Sequence, residues 1–187
     1  MAEADISHSV NIRKASQDDI KAYTRLLQRV YEDAYADEGI GLGREYFSMK
    51  LFLTEDTQEY LRSNLAQSKE QLALLAFYRR RLVGSITIKD MRGRFKLSGF
   101  YVDTKMQGKG IGKRLLGLAL GFARGKEIYL TTYAHNKRSI ELYSRWGFKR
   151  YGWQWRLRWK VWPRGVYARM INMRLPSGSY AYLVRNE

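Results

Sequence analysis

Glycine stands at every second position, 108, 110 and 112, in a loop between two well-marked elements. Before the loop runs a strand-like segment, Phe95 to Val102. After it comes an apolar helix pattern at Ile111, Leu115, Leu116, Leu118, Leu120 and Phe122. Glycines let the backbone turn tightly and put no Cβ between its amides and a ligand. The first turn of a helix adds N–H groups without an intrahelical partner and a partial positive charge. A strand, a bare loop and a helix start in this order therefore make an anion cradle, suited to a phosphate or pyrophosphate. Lys105, Lys109, Lys113 and Arg114 carry the same sign.

Two common phosphate loops are excluded by their own spacing. A P-loop needs a hydroxyl after Gly-Lys, and Gly112-Lys113 is followed by Arg114. The dinucleotide pattern would need glycine at Lys113 or Leu115. What fits is Gln-x-x-Gly-x-Gly, as Gln107, Gly110 and Gly112. At these residues the chain resembles the GNAT family of acyl-CoA-dependent N-acyltransferases, whose pyrophosphate loop has this form.

A second segment carries the same likeness. Asn136, Ser139, Tyr143, Gly147 and Phe148 follow the pattern Asn-x-x-Ala/Ser-x-x-x-Tyr-x-x-x-Gly-Phe. On a helix the first three fall at i, i+3 and i+7, so one face presents them together. The family resemblance implies a mixed α/β (α+β) fold. Its central sheet is mostly antiparallel, flanked by helices and splayed beside the cofactor strand.

The 187 residues suit one domain, 1–187, with one core. There is no run of about 18 apolar residues, so no membrane span is expected. With no cysteine and an acidic start, Met-Ala-Glu-Ala-Asp, a cytoplasmic home is the expectation. His8 and His135 have no partner at metal-ligand spacing, and no metal is expected. Charge is uneven. Residues 1–70 hold 13 acidic against 9 basic residues, a balance of −4, while residues 71–187 hold 25 basic against 5 acidic, a balance of +20. That excess is more than one CoA requires; it suits a solvated basic face, or an RNA or membrane-surface partner.

Periodicity places a strand at Val10–Arg13 and a helix from a Ser16/Asp19 capping box to about Tyr35. Gly39, Gly41 and Gly43 break it. Helical patterns follow over Tyr46–Phe52 and Tyr60–Leu65, then strands at Leu72–Tyr78, Leu82–Lys89 and Phe95–Val102, the first two joined by Arg79-Arg80-Arg81. After the cradle helix come a strand, Ile128–Thr132, the Asn136 helix and a C-terminal strand region. There Tyr151, Trp153, Trp155, Leu157, Trp159 and Val161 alternate with Gly152, Gln154, Arg156, Arg158, Lys160 and Trp162. Period two predicts a buried aromatic face and a wet basic one; stacking on nucleic-acid bases and walling the acceptor pocket are the other readings.

The resemblance also implies roles. Acetyl-CoA is the cosubstrate and a primary amine the acceptor. A backbone N–H near Tyr101 or Val102 polarises the thioester carbonyl. Gln107 and the amides of Gly108, Lys109, Gly110, Ile111, Gly112 and Lys113 hold the pyrophosphate. Asn136 and Ser139 contact the pantetheine arm or adenosine. Tyr143 sits by the sulfur and protonates the leaving thiolate. Two features of many relatives are missing: the cradle strand, Phe95 to Phe100, has no carboxylate base, and Thr104 replaces a frequent proline. A water chain, or a carboxylate among Glu32, Asp33, Asp37, Glu38 and Glu45, must then take the amine proton. If that cluster faces the pocket, a small cationic amine such as a polyamine is the expected acceptor, with a protein or peptide amine next. A tRNA- or ribosome-associated acetyltransferase and a non-catalytic CoA-binding module are the alternatives, and a homodimer is open.

Overall fold

The computed structural model describes residues 9–157 and 167–180, without the side chains of Trp155 and Leu157. In chain order it contains β1 (Asn11–Lys14), α1 (Ile20–Tyr35), α2 (Met49–Phe52), α3 (Glu55–Leu65), β2 (Gln71–Tyr78), β3 (Arg81–Asp90) and β4 (Phe95–Val102). These are followed by α4 (Ile111–Ala123), β5 (Ile128–Tyr133), α5 (Lys137–Arg145), β6 (Lys149–Leu157) and β7 (Ala168–Leu175). The strands form one seven-stranded sheet in the order β1-β2-β3-β4-β5-β7-β6. Every pairing is antiparallel except β4 with β5.

Two apolar clusters sandwich the sheet. On one face Ile86, Ile88, Leu97, Leu130 and Met173 pack against Leu115, Leu116 and Leu120 of α4 and Ile140 of α5. On the other, Leu75, Leu82 and Met170 meet Leu26, Leu27 and Val30 of α1 and Leu61 and Leu65 of α3. The start of α1 is fixed as its sequence suggests. The Asp19 carboxylate accepts the Ser16 N–H at 2.8 Å and holds the Arg13 guanidinium. That guanidinium pulls the Asp19 carboxyl below its ordinary range. The β2–β3 turn is tighter than expected: Arg81 belongs to β3, and Arg79 and Arg80 alone make the turn at φ 47° and 65°. A two-residue hairpin demands such positive φ values to match the strand twist.

The feature that positions the site is a parting of the sheet. β4 and β5 pair only at Phe95–Ile128 and Lys96–Tyr129. Beyond Lys96, β4 bends away through a bulge opposite β3, between the pairs Thr87–Ser98 and Ser85–Tyr101. Gly99 sits in this bulge at φ 57°. An added Cβ there would lie 2.9 Å from the Tyr23 hydroxyl and 3.1 Å from Thr87 Oγ1, so the bend requires glycine on two counts. The β5-facing backbone groups of β4 past Lys96 are thus free of the ladder.

The C-terminal alternation does not survive intact. Between the β6–β7 pairs Tyr151–Asn172 and Trp155–Met170 the register shifts, with Gly152 at φ 65°. A bulge inserts residues that break a two-residue period. Trp153, expected to be buried, is 90% exposed. Trp159 and Val161 of the same reading lie outside the described residues.

Candidate active site

The glycine loop and the helix start form where the sequence places them. Gly108 and Gly110 take φ 79° and 75°, and Gly110 caps α4 in the left-handed conformation. The first i→i−4 bond of that helix runs from the Arg114 N–H to the Gly110 carbonyl, 3.1 Å. The N–H groups of Ile111, Gly112 and Lys113 therefore precede the intrahelical ladder and stand at the positive end of the helix dipole. Gly112 has helical φ, so its value lies in the missing side chain on the cavity wall.

A cavity of about 360 Å³ lies along the parted edge of β4. Tyr101, Val102, Gln107, Gly108, Gly110, Ile111, Gly112, Lys113, Asn136, Ser139 and Tyr143 all line it. Of the expected binding residues only Lys109 does not. Gln107 acts through its side chain, donating from Nε2 to the Val102 carbonyl at 3.0 Å and so tying the loop to the strand end. The Asn136 side chain accepts the Ser139 N–H at 3.1 Å, which makes it the N-cap of α5 as well as a wall of the cavity.

Two supports were not foreseen. Asp103, 4% exposed, receives Arg81 at 2.8 Å and Arg29 at 3.2 Å on one oxygen, and the Lys105 N–H at 3.1 Å on the other. It anchors the turn between β4 and the cradle to α1 and β3. Thr104 donates to Asp33 at 2.6 Å, a bond no proline could make.

Through the gap in the sheet a second cavity, of about 230 Å³, backs onto the first. Phe100, Tyr101, Tyr35 and Tyr143 border both. The second is a tyrosine chamber: Tyr31, Tyr35, Tyr60, Tyr101, Tyr133 and Tyr143 come from five different elements. The Tyr31 and Tyr101 hydroxyls are 2.8 Å apart, and the rings of Tyr35 and Tyr133 lie 4.4 Å apart. Burial pushes the phenols of Tyr31, Tyr35, Tyr101 and Tyr143 well above the ordinary tyrosine value. Tyr143 packs against Phe100, Trp146 and Phe148, and its hydroxyl has no hydrogen-bond partner among the described residues.

No carboxylate lines either cavity among the described residues. The acidic cluster at and beyond the end of α1, Glu32, Asp33, Asp37, Glu38 and Glu45, lines neither cavity. Glu32 binds Arg44 and Gln28, Asp33 binds Thr104, and Asp37 caps the turn at Gly39. His135 lies in a separate hollow beside Arg156 and Arg169, and burial lowers its pKa. Among the described residues no three His, Cys, Asp or Glu side chains cluster as a metal site would require.

Residues 24–148 match the model of the Acetyltransferase (GNAT) family, two thirds of the chain. The chain belongs to this family. The Bacillus subtilis spermine/spermidine N(1)-acetyltransferase is 38% identical over 61 residues, 30% of this chain and 40% of that protein. The Mycobacterium tuberculosis N-alpha-acetyltransferase RimI is 47% identical over 51 residues, 27% and 32% of the two chains. The chain thus spans well under half the length of the curated relatives it matches. The fold is shared more widely. A Thermoplasma acidophilum PaiA N-acetyltransferase solved with coenzyme A superposes with TM-score 0.69 at 24% identity, covering 90% of this GNAT chain and 99% of that one. The Vibrio cholerae spermidine N-acetyltransferase, solved with CoA and spermine, gives 0.62 at 16% identity, covering 92% and 98%.

Proposed function

We propose that this protein transfers the acetyl group of acetyl-CoA to a primary amine. The observation that carries the reading is the pair of cavities meeting through the parted β4–β5 edge, one walled by the anion cradle and the other by tyrosines. The residues fit the cosubstrate. Glycine-bare amides at Gly108 and from Gly110 to Lys113 suit a diphosphate, and the open β4 edge suits the amides of a pantetheine arm. Acetyl-CoA supplies an activated thioester.

The chain's own groups do the rest. A backbone N–H at Tyr101 or Val102 stabilises charge growing on the carbonyl oxygen. The shared wall holds amine and carbonyl within attack distance. Tyr143, between the two cavities, offers its hydroxyl proton to the departing sulfur. The amine proton leaves through water held by the phenol groups, since no carboxylate among the described residues lines either cavity. Tyrosine faces also attract a single ammonium group before it loses that proton. Lys96 at the chamber wall opposes a long polycation, so a polyamine gains no support from the lining residues. No described helix is long and apolar enough to cross a bilayer.

The test is thiol release from acetyl-CoA across a panel of alkylamines, amino-acid amides, polyamines and peptides, alongside calorimetry with CoA. Binding of CoA with release stimulated by one amine class is expected. Binding with no release across the panel would leave a CoA-binding module, and no binding would end the reading.

A further inference from the structure

The helices cover only part of the sheet face that carries the tyrosine chamber. Beyond them a straight row of paired residues crosses five strands: Lys89 with Lys96, Lys96 with Tyr129, Tyr129 with Arg174, and Arg174 with Lys149. Directly paired residues point to one side of a sheet. At strand spacings of about 4.8 Å the row spans roughly 19 Å. All four cations in it are exposed and Tyr129 is half-buried. A second row, Thr131, Asn172 and Tyr151, runs beside it on the same face.

Aromatic rings are interleaved with these charges. The Arg94 guanidinium lies 5.0 Å over the Tyr129 ring and Arg174 lies 5.8 Å from that of Tyr151. Trp153, on the edge strand two residues on, is almost wholly in solvent. Of the carboxylates at this end, Glu127 lies 3.6 Å from Arg94 and 3.7 Å from Arg174, and Asp90 lies 4.0 Å from Lys126, so that among the described residues none forms an ion pair with Lys89, Lys96 or Lys149. The face is continuous with the acceptor chamber, because Lys96, Ser98 and Thr131 line both.

We propose that this open face docks single-stranded nucleic acid, whose phosphates follow the cation row while a base stacks on the exposed Trp153 ring. Cations in a line with sequence-tolerant aromatic platforms are what such a strand recognises. A second copy of the chain is disfavoured, because each carries a net charge of +16 and would present the same sign. An acidic peptide would use the lysines but has no use for a solvent-facing tryptophan. Continuity with the chamber makes the bound strand the carrier of the acceptor amine; that last step rests on the proposed acetyl transfer, whereas docking does not.

The experiment is fluorescence anisotropy of the full chain with a labelled RNA of about 12 nucleotides, repeated with DNA of the same sequence. Salt is varied from about 50 to 200 mM. Four phosphate contacts predict a slope of log affinity on log salt near −3, at roughly −0.7 per contact. K89E/K149E should flatten that slope by about 1.4. W153A should weaken binding about fivefold or more. K21E/R25E, an equal charge change on the exposed side of α1, should do neither. Circular dichroism confirms that each variant folds, and calorimetry with CoA runs in parallel. No binding at low salt, equal weakening by K21E/R25E, or competition by poly-glutamate with W153A unaffected would overturn the proposal. Failure here with CoA binding intact sinks the docking face alone, whereas loss of CoA binding by the unaltered chain sinks the acetyl-transfer reading.

Discussion

Replacing Tyr143 by Phe isolates one hydroxyl at the junction of the two cavities. Burial raises its pKa, so proton transfer to a thiolate is uphill by more than the roughly 1.5 units that separate ordinary phenol and thiol values. In the proposed transfer the hydroxyl would therefore stabilise the departing sulfur mainly as a hydrogen-bond donor. This places the loss at the lower end of general-acid effects, about 100-fold in kcat, or roughly 2.7 kcal/mol. CoA affinity should hold within about twofold, because the ring and its contacts with Phe100, Trp146 and Phe148 remain. Stability should not fall, since the hydroxyl has no partner among the described residues and its removal leaves no group stranded. The raised pKa also keeps the phenol protonated through the usual assay range, so Tyr143 should contribute no alkaline limb to kcat below about pH 10. Steady-state kinetics against pH, CoA calorimetry and thermal melts give all three readouts. Turnover close to that of the unaltered enzyme, or a loss of kcat matched by an equal loss of CoA affinity, would refute the role.

Gly99→Ala should lower stability by about 3 kcal/mol, from a left-handed φ forced on alanine and the displaced Tyr23 hydroxyl, which is about 6–12 °C in Tm for a chain of this size. A shift under about 2 °C would mean the bulge does not depend on glycine. The buried phenols of Tyr23, Tyr31, Tyr35, Tyr101 and Tyr143 are all raised by desolvation. Below about pH 10 both folded and unfolded chains keep these protons, and stability is full; above it the unfolded chain ionises first and stability is lost. Urea midpoints should be level from about pH 7 to 9 and fall beyond 10, and ultraviolet titration should find these five of the 14 tyrosines ionising only as the chain unfolds. Reversible ionisation of all of them in the folded chain would contradict the burial.

The parts of the site readable in the sequence are those whose chemistry is local. Gln107 to Lys113 must turn, cap a helix and expose amides within seven residues, and few residue choices allow it. Asn136, Ser139 and Tyr143 share a helix face by spacing alone. Asp103 was not legible, because its worth depends on Arg29 and Arg81, distant in the chain and brought together by the sheet. The tyrosine chamber was missed for the same reason: its rings come from α1, α3, β4, β5 and α5 with no common period. The acidic cluster suggested a cationic pocket only while its partners, Arg44 and Thr104, were unknown. At Trp153 the error was to extend a regular period across Gly152, where a bulge resets which side each residue faces.

The widening between β4 and β5 separates two kinds of recognition. On one side, in the proposed reading, main-chain amides would grip a partner that never changes, and side-chain substitutions there would alter little that matters to it. On the other, walls drawn from five elements would meet the molecule to be modified, and Tyr31, Tyr60 and Tyr133, which border that chamber alone, can be exchanged without touching the cradle side. A scaffold divided in this way can drift from one acceptor to another by surface changes alone, while its donor chemistry stays fixed.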